Sequence, residues 1–327
     1  MRARTFRGYP FYIKEMAKPS YLKLHESGEL RKRGKQALRL LNPCSLCPRE
    51  CGVNRLKDDE KGFCRTGRFA RIASFNAHFG EESPLVGRNG SGTIFISSCN
   101  LLCNFCQNEE ISHGNEGNEA GPEQIASMMI HLARSGCHNI NFVTPSHVVP
   151  QLLEALALAI PQGLDVPLVY NSSGYDKKET LKLLEGIFDI YMPDFKFWDG
   201  KWAERYCGAA DYPGFAAEAV REMHRQVGDL VLDGGGIAER GLLMRHLVMP
   251  GGVGGTGGIM EFLAHEISPD TYVNIMDQYR PCGGAIQDAY LGRRLTAEEY
   301  RTALSCAARV GLKRLDSRER ARIYFRL

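Results

Sequence analysis

The chain has 327 residues, of which 43% are hydrophobic and 24% charged, and its formal net charge is +3 at pH 7. This composition is typical of a globular protein with one large core, and the small charge gives no reason to expect nucleic acid or an acidic membrane as a partner. Apolar runs stay well short of the roughly 18 residues that span a bilayer. The basic residues 1–7 are not followed by the apolar segment of a secretory signal.

Eleven cysteines are present, and seven of them fall in two tight clusters, at residues 44–64 and 99–106. Disulfide scaffolds belong to short secreted chains, whereas clustered thiols in a long chain without a signal indicate metal binding in a reducing compartment. We therefore expect a cytoplasmic metalloprotein. The four scattered thiols are predicted to be small buried hydrophobic residues rather than ligands; they are Cys137, Cys207, Cys282 and Cys306.

The N-terminal part begins with a Lys- and Arg-rich stretch, residues 1–42, in which residues 21–41 predict one or two amphipathic helices on the outside of the fold. Four thiols follow within about twenty residues, amid Pro, Gly and charged residues. These are Cys44, Cys47, Cys51 and Cys64, which we call the N-terminal cysteine segment (residues 44–64). Their spacing is not that of a zinc ribbon, so structural zinc, an auxiliary iron–sulfur cluster and four unligated thiols all remain open. Residues 71–87 predict a strand and a turn.

From residue 93 onward, strands alternate with helices. The predicted strands are 93–97, 139–144, 166–171, 188–195, 241–249 and 271–276, and the predicted helices begin near 121 and cover 148–160, 177–184, 213–227 and 259–265. The strands are nearly continuous apolar runs, as in parallel sheets that are covered on both faces. Six units are fewer than the eight of a full barrel.

The predicted fold class is therefore α/β, a partial (β/α)6 TIM-type barrel with a Cys-rich N-terminal extension and a C-terminal helix at 296–310. The predicted domains are an arm with the N-terminal cysteine segment (1–87), the barrel (88–280) and a C-terminal helical extension (281–327).

Polar residues follow five of the predicted strands. Because the carboxyl ends of parallel strands meet at one rim, where α/β proteins bind ligands, we expect these side chains to converge. They are Thr144, Ser146 and His147; Asn171, Ser172 and Ser173; Asp194 and Lys196; Arg245 and His246; and Asp277 and Gln278.

The loop after the first strand carries three thiols with spacing x3 and x2, Cys99, Cys103 and Cys106. Closely spaced thiolates are typical ligands of iron–sulfur clusters, but a cubane cluster has four irons. Either a remote cysteine supplies the fourth ligand, or one iron stays open for another molecule.

The motif Cys99-x3-Cys103-x2-Cys106, with Phe105 before the last Cys, resembles that of the radical S-adenosylmethionine (SAM) superfamily. Further stretches are similar to the PflX-type branch, which is related to pyruvate formate-lyase activating enzymes. Those stretches are residues 90–95, 139–147, 169–175, 189–196 and 245–251, together with Cys44-x2-Cys47-Pro48.

This resemblance implies a [4Fe-4S] cluster on Cys99, Cys103 and Cys106, with SAM on the fourth iron, and an oxidoreductase that generates a 5′-deoxyadenosyl radical. It implies a flavodoxin- or ferredoxin-type reductant and a substrate that is a small molecule or a protein, such as a glycyl-radical protein. The cofactor-binding residues that it implies are Phe105, Thr144, His147, Asn171, Ser173, Asp194, Lys196 and Arg245.

Two other functions remain as alternatives. An iron–sulfur electron-transfer protein without SAM chemistry would use the same thiols, but it would not need about two hundred residues of barrel. A zinc protein that binds nucleic acid is disfavoured by the modest charge and by the lack of a basic stretch interleaved with aromatic residues.

Overall fold

A computed structural model of the chain describes residues 18–57, 62–114 and 116–316. The basic N-terminal residues and the end of the predicted C-terminal extension lie outside these ranges. The strands are β1 (Ala70–His78), β2 (Ser91–Ile96), β3 (Asn118–Ala120), β4 (Ile140–Val143), β5 (Leu168–Asn171), β6 (Ile190–Tyr191), β7 (Val231–Leu232), β8 (Ala238–Leu247) and β9 (Tyr272–Met276). The helices are α1 (Tyr21–Glu26), α2 (Glu29–Arg39), α3 (Ser83–Val86), α4 (Glu109–Ser112), α5 (Pro122–Arg134), α6 (Val149–Ala159), α7 (Lys178–Leu183), α8 (Gly200–Cys207), α9 (Tyr212–Val227), α10 (Thr256–Phe262) and α11 (Ala297–Arg309).

Six parallel strands form the body of the fold. They pair in chain order as β2-β4-β5-β6-β8-β9, with every neighbouring pair parallel. Helices fill the crossovers, which is the arrangement of a barrel built from βα units. The predicted partial (β/α)6 barrel is confirmed.

The sheet extends beyond these six strands. Strand β1 pairs antiparallel with β2 and with β3, and β7 pairs antiparallel with β8. The strand predicted within residues 71–87 is therefore part of the same sheet as the barrel. Among the described residues, no pairing joins β9 to the β3–β1–β2 side, so the barrel is open.

One predicted strand is much shorter than expected. Residues 188–195 form only the two-residue strand Ile190–Tyr191, because Pro193 has no N–H to donate to the sheet. A single bridge between Asp194 and Arg245 resumes the pairing after the proline. Helix α8, which the sequence did not predict, then begins at an Asp199 cap whose side chain accepts from the Lys201 N–H at 2.8 Å.

The helices at both ends of the chain pack on the outside of the barrel, as predicted. In α1 and α2, Tyr21, Leu30 and Ala37 are fully or almost fully buried, and the Tyr21 hydroxyl donates to the carbonyl of Val166 at 2.9 Å. Helix α11 begins at Thr296, whose side chain accepts from the Glu299 N–H at 3.2 Å. No helix among the described residues has the length and apolar character that crossing a bilayer requires.

A separate apolar cluster fills the base of the barrel. Leu85, in the connection between β1 and β2, is fully buried there against Val169 of β5, Ile190 of β6 and Leu243 of β8. Asn139, just before β4, holds this connection: its amide donates to the Leu85 carbonyl at 2.9 Å and accepts from the Ser91 hydroxyl at 2.7 Å. The β1–β2 connection therefore closes the amino-terminal end of the barrel and leaves the carboxyl end for a ligand.

Asn139→Ala removes both side-chain hydrogen bonds and leaves a buried carbonyl without its donor. We expect the free energy of unfolding to fall by about 2 kcal/mol, measured by chemical denaturation. The matched control is Gln162→Ala, which removes an exposed hydrogen bond to the Leu158 carbonyl (2.9 Å), and we expect a change within about 0.5 kcal/mol. Equal effects of the two changes would contradict the proposed role of Asn139.

Candidate functional site

The barrel encloses a cavity of about 380 Å³ at the carboxyl ends of its strands. This volume lies within the usual range of small-molecule binding pockets. Its wall combines the loop after β2 that carries Cys99, Cys103 and Cys106, which we call the cysteine loop (residues 99–106), with residues from the ends of β4, β5, β6, β8 and β9. The lining includes Cys99, Cys103, Phe105, Cys106, Thr144, Asn171, Ser172, Ser173, Asp194, Lys196, Arg245 and Gln278.

The three thiols of the cysteine loop all line this cavity. Cys99 and Cys103 are 9% and 8% exposed, and Cys106 is partly buried. Two of the sulfurs accept hydrogen bonds: Cys99 Sγ from the Leu101 N–H at 3.3 Å, and Cys106 Sγ from the Ser112 hydroxyl at 3.2 Å. Such donors stabilise a thiolate, so the loop is suited to present sulfur ligands towards the cavity.

The protein alone does not favour three thiolates at this position. Burial raises the pKa of the Cys99 thiol to about 12, and the neighbouring Cys103 thiol adds to the increase. The adjacent Cys207 thiol and burial raise the pKa of Cys103 well above its ordinary value, and burial raises that of Cys106. A positively charged centre in the cavity would supply the compensating charge, because metal coordination deprotonates thiols.

The donor set fits a cluster better than a single ion. Within the described residues, no three Cys, His, Asp or Glu side chains converge closely enough to hold one metal ion. Each thiolate of an iron–sulfur cluster binds a different iron, so its ligands do not need to converge on one point. Three soft sulfur donors around one cavity are therefore compatible with a cubane cluster.

Residues with strained backbone conformations lie on the same rim of the barrel. Ser98, Leu102 and Thr144 have φ values of 70°, 51° and 65°, which non-glycine residues rarely adopt. Thr144 is β-branched, so its left-handed conformation is especially unfavourable. Strain of this kind persists where the surrounding structure enforces it, and it is frequent at functional sites. Two of the three residues flank cysteines of the loop, and the third directly follows β4.

The structure brings seven of the eight predicted cofactor-binding residues to the cavity. Phe105 is buried in an aromatic cluster, with its ring centroid 5.8 Å from that of Phe197 and 6.2 Å from that of Tyr206. The other six are Thr144, Asn171, Ser173, Asp194, Lys196 and Arg245.

His147 is the residue that the structure does not bring to the cavity lining. Its ring is 1% exposed, and its Nε2 lies 3.0 Å from the Ser97 carbonyl oxygen. Burial lowers the pKa of His147 to about 3, so the ring is neutral. Its contact with the Ser97 carbonyl helps to fix the chain directly after β2. His246 is also buried and contacts the Phe195 carbonyl (2.7 Å) and the Thr256 hydroxyl (2.8 Å).

A partly buried ion pair, Asp194 with Lys196, lies near the thiols at the strand ends. Lys196 donates to the Asp194 carboxylate, and both side chains line the cavity. Burial lowers the pKa of Lys196, but Asp194 and the Cys103 thiol outweigh this effect and raise it overall. Burial raises the pKa of Asp194, but Lys196 and Arg245 lower it below its ordinary value. Both groups are therefore charged at neutral pH, and a fixed ammonium lies near the thiols.

The sequence pattern does not indicate the residues at the inner end of the cavity. Glu81 reaches it from the β1–β2 connection, and Glu82 lies next to Glu81 but outside the lining. Arg245 lies 3.4 Å from a carboxylate oxygen of each. The amide of Asn141 donates to Glu81 at 3.1 Å, and that of Asn274 donates to Glu82 at 2.6 Å. We call these five residues the carboxylate floor. The adjacent acidic pair in the sequence is the available signal, but it falls in a connection for which the sequence predicts a turn.

The N-terminal cysteine segment packs behind the cysteine loop. Arg49 donates to the carbonyls of Asn100 (3.0 Å) and Cys207 (2.8 Å), and its guanidinium lies 3.8 Å from the centroid of the Phe63 ring. The thiols of Cys44, Cys47 and Cys64 are 6–7% exposed, and Cys51 Sγ accepts from the Phe63 N–H at 3.3 Å. Burial raises the pKa of Cys47 to about 12, and Cys64 and Cys44 contribute to the increase. The segment therefore places buried thiols beside one another and is fixed to the backbone of the cysteine loop.

Comparisons with known proteins find a curated sequence relative and similar solved structures. The chain is 31% identical over 315 residues to the uncharacterized protein MJ0674 of Methanocaldococcus jannaschii, and the match covers 94% of this chain and 84% of that protein. A solved structure described as native anSMEcpe with bound AdoMet aligns with 65% of this chain and 57% of its own, with a TM-score of 0.45 and 11% identity. The chain thus matches little more than half the length of that structure. No family model matches the sequence.

The carboxylate floor predicts a pH-dependent stability. Burial raises the pKa of Glu81 from 4.5 to about 7, and Glu82 adds to the increase while Arg245 opposes it. The folded chain therefore holds this proton more tightly than the unfolded chain, so the contribution of Glu81 to stability falls as the pH rises from about 4.5 to about 7. We expect the melting temperature of Glu81→Gln, relative to the unmodified protein, to be higher at pH 8 than at pH 5.

The matched control is Glu266→Gln, because Glu266 is half exposed and pairs with Arg221 on the outer surface. Its effect should not change between the two pH values. A melting-temperature difference for Glu81→Gln that is the same at pH 5 and pH 8 would show that the carboxyl is not perturbed.

Proposed function

We propose that this chain, which belongs to the same family as the uncharacterized protein MJ0674 of Methanocaldococcus jannaschii, is a radical SAM enzyme. The observation that carries the proposal is the convergence of Cys99, Cys103 and Cys106 with polar strand-end residues on one enclosed cavity. Three local thiols leave one iron of a cubane cluster without a protein ligand in this loop.

The bound cluster would supply one electron to SAM and cleave it to methionine and a 5′-deoxyadenosyl radical, which abstracts hydrogen from the substrate. The protein residues have other tasks. The Leu101 N–H and the Ser112 hydroxyl stabilise the negative charge on two of the sulfurs. Lys196, held by Asp194, keeps a positive charge near the thiols and is available to a carboxylate of the cofactor.

The remaining lining residues would orient the cofactor and exclude water. Asn171 and Ser173 offer hydrogen-bonding groups beside Lys196, and Ser173 Oγ has no hydrogen-bond partner within the described part of the chain. Phe105 offers an aromatic surface, and Val143 and Leu247 make neighbouring parts of the wall apolar. A reactive radical requires such a dry, enclosed site.

The first test is SAM cleavage by the anaerobically purified protein, reconstituted with iron and sulfide and reduced chemically. We expect 5′-deoxyadenosine from the unmodified protein and none from Cys103→Ala, because the altered loop lacks one of its three sulfur ligands. Cys306→Ala is the control, since Cys306 lies on α11, away from the cysteine loop, and it should retain both iron and product.

Two outcomes would contradict the proposal. An intact, reduced cluster that yields no 5′-deoxyadenosine would exclude radical SAM chemistry and favour the electron-transfer alternative. Product from Cys103→Ala would show that the ligands are assigned to the wrong thiols.

For the N-terminal cysteine segment we propose a second metal centre with a supporting role, either an iron–sulfur cluster, whose thiol ligands do not need to converge on one point, or zinc, which would require its thiols to move closer together. Its buried neighbouring thiols and the Arg49 hydrogen bonds to the cysteine loop support this role. The iron and zinc content of a variant that lacks Cys99, Cys103 and Cys106 identifies the metal that this segment binds. If that variant retains neither iron nor zinc, the second centre does not exist.

Cys47→Ala tests whether the thiols of the N-terminal cysteine segment support the fold while those of the cysteine loop carry out SAM cleavage. We expect a lower melting temperature and a lower metal content, with 5′-deoxyadenosine still formed under chemical reduction. A normal melting temperature combined with complete loss of SAM cleavage would instead place Cys47 in the reaction itself.

The substrate, the reductant and the compartment stay predictions from the sequence. A glycyl-radical protein is the substrate that the similarity to activating enzymes favours, a flavodoxin- or ferredoxin-type protein is the expected electron donor, and the cytoplasm is the expected location.

A further inference from the structure

The carboxylate floor lies at the end of the cavity away from the thiols. Glu81 is bonded to Asn141, the second residue of β4, which pairs in register with Thr93 in the first half of β2. The cysteine loop begins beyond the opposite end of β2, after Ile96. Glu81 nevertheless lines the same cavity as the thiols, so one ligand space extends from the sulfurs to the floor.

Negative charge exceeds positive charge at the floor. Asp194 is matched by Lys196, which leaves the carboxylates of Glu81 and Glu82 to share the single guanidinium of Arg245. With all groups ionised, the floor carries an excess of one negative charge. The exposed fractions of the Glu81 and Glu82 side chains are 8% and 2%, so water does little to screen this charge.

The contacts of Arg245 are also loose. Its three carboxylate neighbours, on Glu81, Glu82 and Asp194, each lie at 3.4 Å, whereas charge-assisted hydrogen bonds are usually about 2.7–2.9 Å long. The guanidinium therefore does not satisfy the acidic groups around it.

Acceptor atoms at the floor remain without donors. Within the described residues, Glu82 Oε2 and Asn141 Oδ1 are buried and have no hydrogen-bond partner. Glu82 and Asn141 are 4% and 0% exposed, and unpaired buried acceptors of this kind are costly. Arg245 Nε is also buried without a hydrogen-bond partner, 3.4 Å from Glu82, so the donors present are not placed to satisfy these acceptors. The floor thus has less positive than negative charge and unsatisfied acceptors, and an ammonium group supplies both charge and N–H donors.

We infer that the floor binds the cationic nitrogen of the substrate, a primary ammonium or guanidinium group carried by a small amine or by a basic peptide side chain. This inference rests on the proposed function, because it assigns the space beside the thiols to SAM and the floor to the molecule on which the radical acts. Glu81, which lines the cavity, is the specificity-determining residue; Asn141 positions its carboxylate, and Glu82 adds negative charge behind it.

The experiment measures binding to the reconstituted but unreduced protein by calorimetry at pH 8, where Glu81 is ionised, both without SAM and with saturating SAM. The probes are n-butylammonium, n-butanol and butanoate, which have similar size but different charge. We expect n-butylammonium to bind at least about tenfold more tightly than either of the others, because hydrogen bonds to charged groups contribute about 1.5–3 kcal/mol. Equal binding of the three probes, or tighter binding of butanoate, would overturn the inference.

Glu81→Gln should weaken the binding of n-butylammonium about tenfold and leave the binding of n-butanol unchanged. Glu266→Gln should change neither affinity. If Glu81→Gln does not fold, the comparison of the three probes on the unmodified protein still tests whether the floor binds a cation. An acetylated and amidated Gly-Lys-Gly peptide, compared with its norleucine analogue, distinguishes a peptide side chain from a small amine. Displacement of n-butylammonium by SAM would assign the floor to the ammonium group of the cofactor and overturn the inference.

This binding needs no reductant, so it can succeed when SAM cleavage fails. SAM cleavage without any amine can likewise succeed when binding at the floor fails. The two results therefore separate the inference from the proposed function.

Discussion

The interior of this barrel depends on one partly buried guanidinium. Arg245, on β8, faces carboxylates from two other parts of the chain: Glu81 and Glu82 in the β1–β2 connection, and Asp194 after β6. Removing the guanidinium would leave buried carboxylates without a counter-charge, a loss that typically costs about 3–5 kcal/mol. Burial also raises the pKa of Glu81, so protonation can relieve part of the imbalance. The open barrel therefore holds its amino-terminal connection in place by charge as well as by the packing of Leu85.

A second constraint acts at the opposite end, where thiols are crowded in a poorly solvated loop. Their raised pKa values and the left-handed backbone at Ser98 and Leu102 mean that the loop is unfavourable by itself. The Arg49 hydrogen bonds from the N-terminal cysteine segment offset part of this cost by fixing the loop backbone. The geometry of the sulfur ligands is thus supported from outside the barrel, by a segment that precedes it in the chain.

Apolar periodicity and strand-end polarity were sufficient to predict the parallel strands, their order and most of the cavity wall. They failed where a backbone feature or a distant contact decides the outcome. Pro193 truncates β6, a local effect that the apolar run 188–195 conceals. His147 follows its strand as predicted, but its ring turns to the Ser97 carbonyl and away from the cavity. Glu81 and Glu82 lie in a connection, and nothing in the local pattern indicates that Arg245 and Asn274, more than 160 residues later, enclose them.

The closed base of the barrel also has a kinetic consequence. Leu85 and its apolar neighbours fill the amino-terminal end, and the cavity lies at the carboxyl end, on the rim that carries the thiols. A molecule seated on the carboxylate floor is then covered by whatever occupies the space beside the sulfurs. In the proposed enzyme, exchange of a molecule at the floor would therefore be slow while the space beside the sulfurs is filled, whereas its equilibrium affinity would be set by the floor.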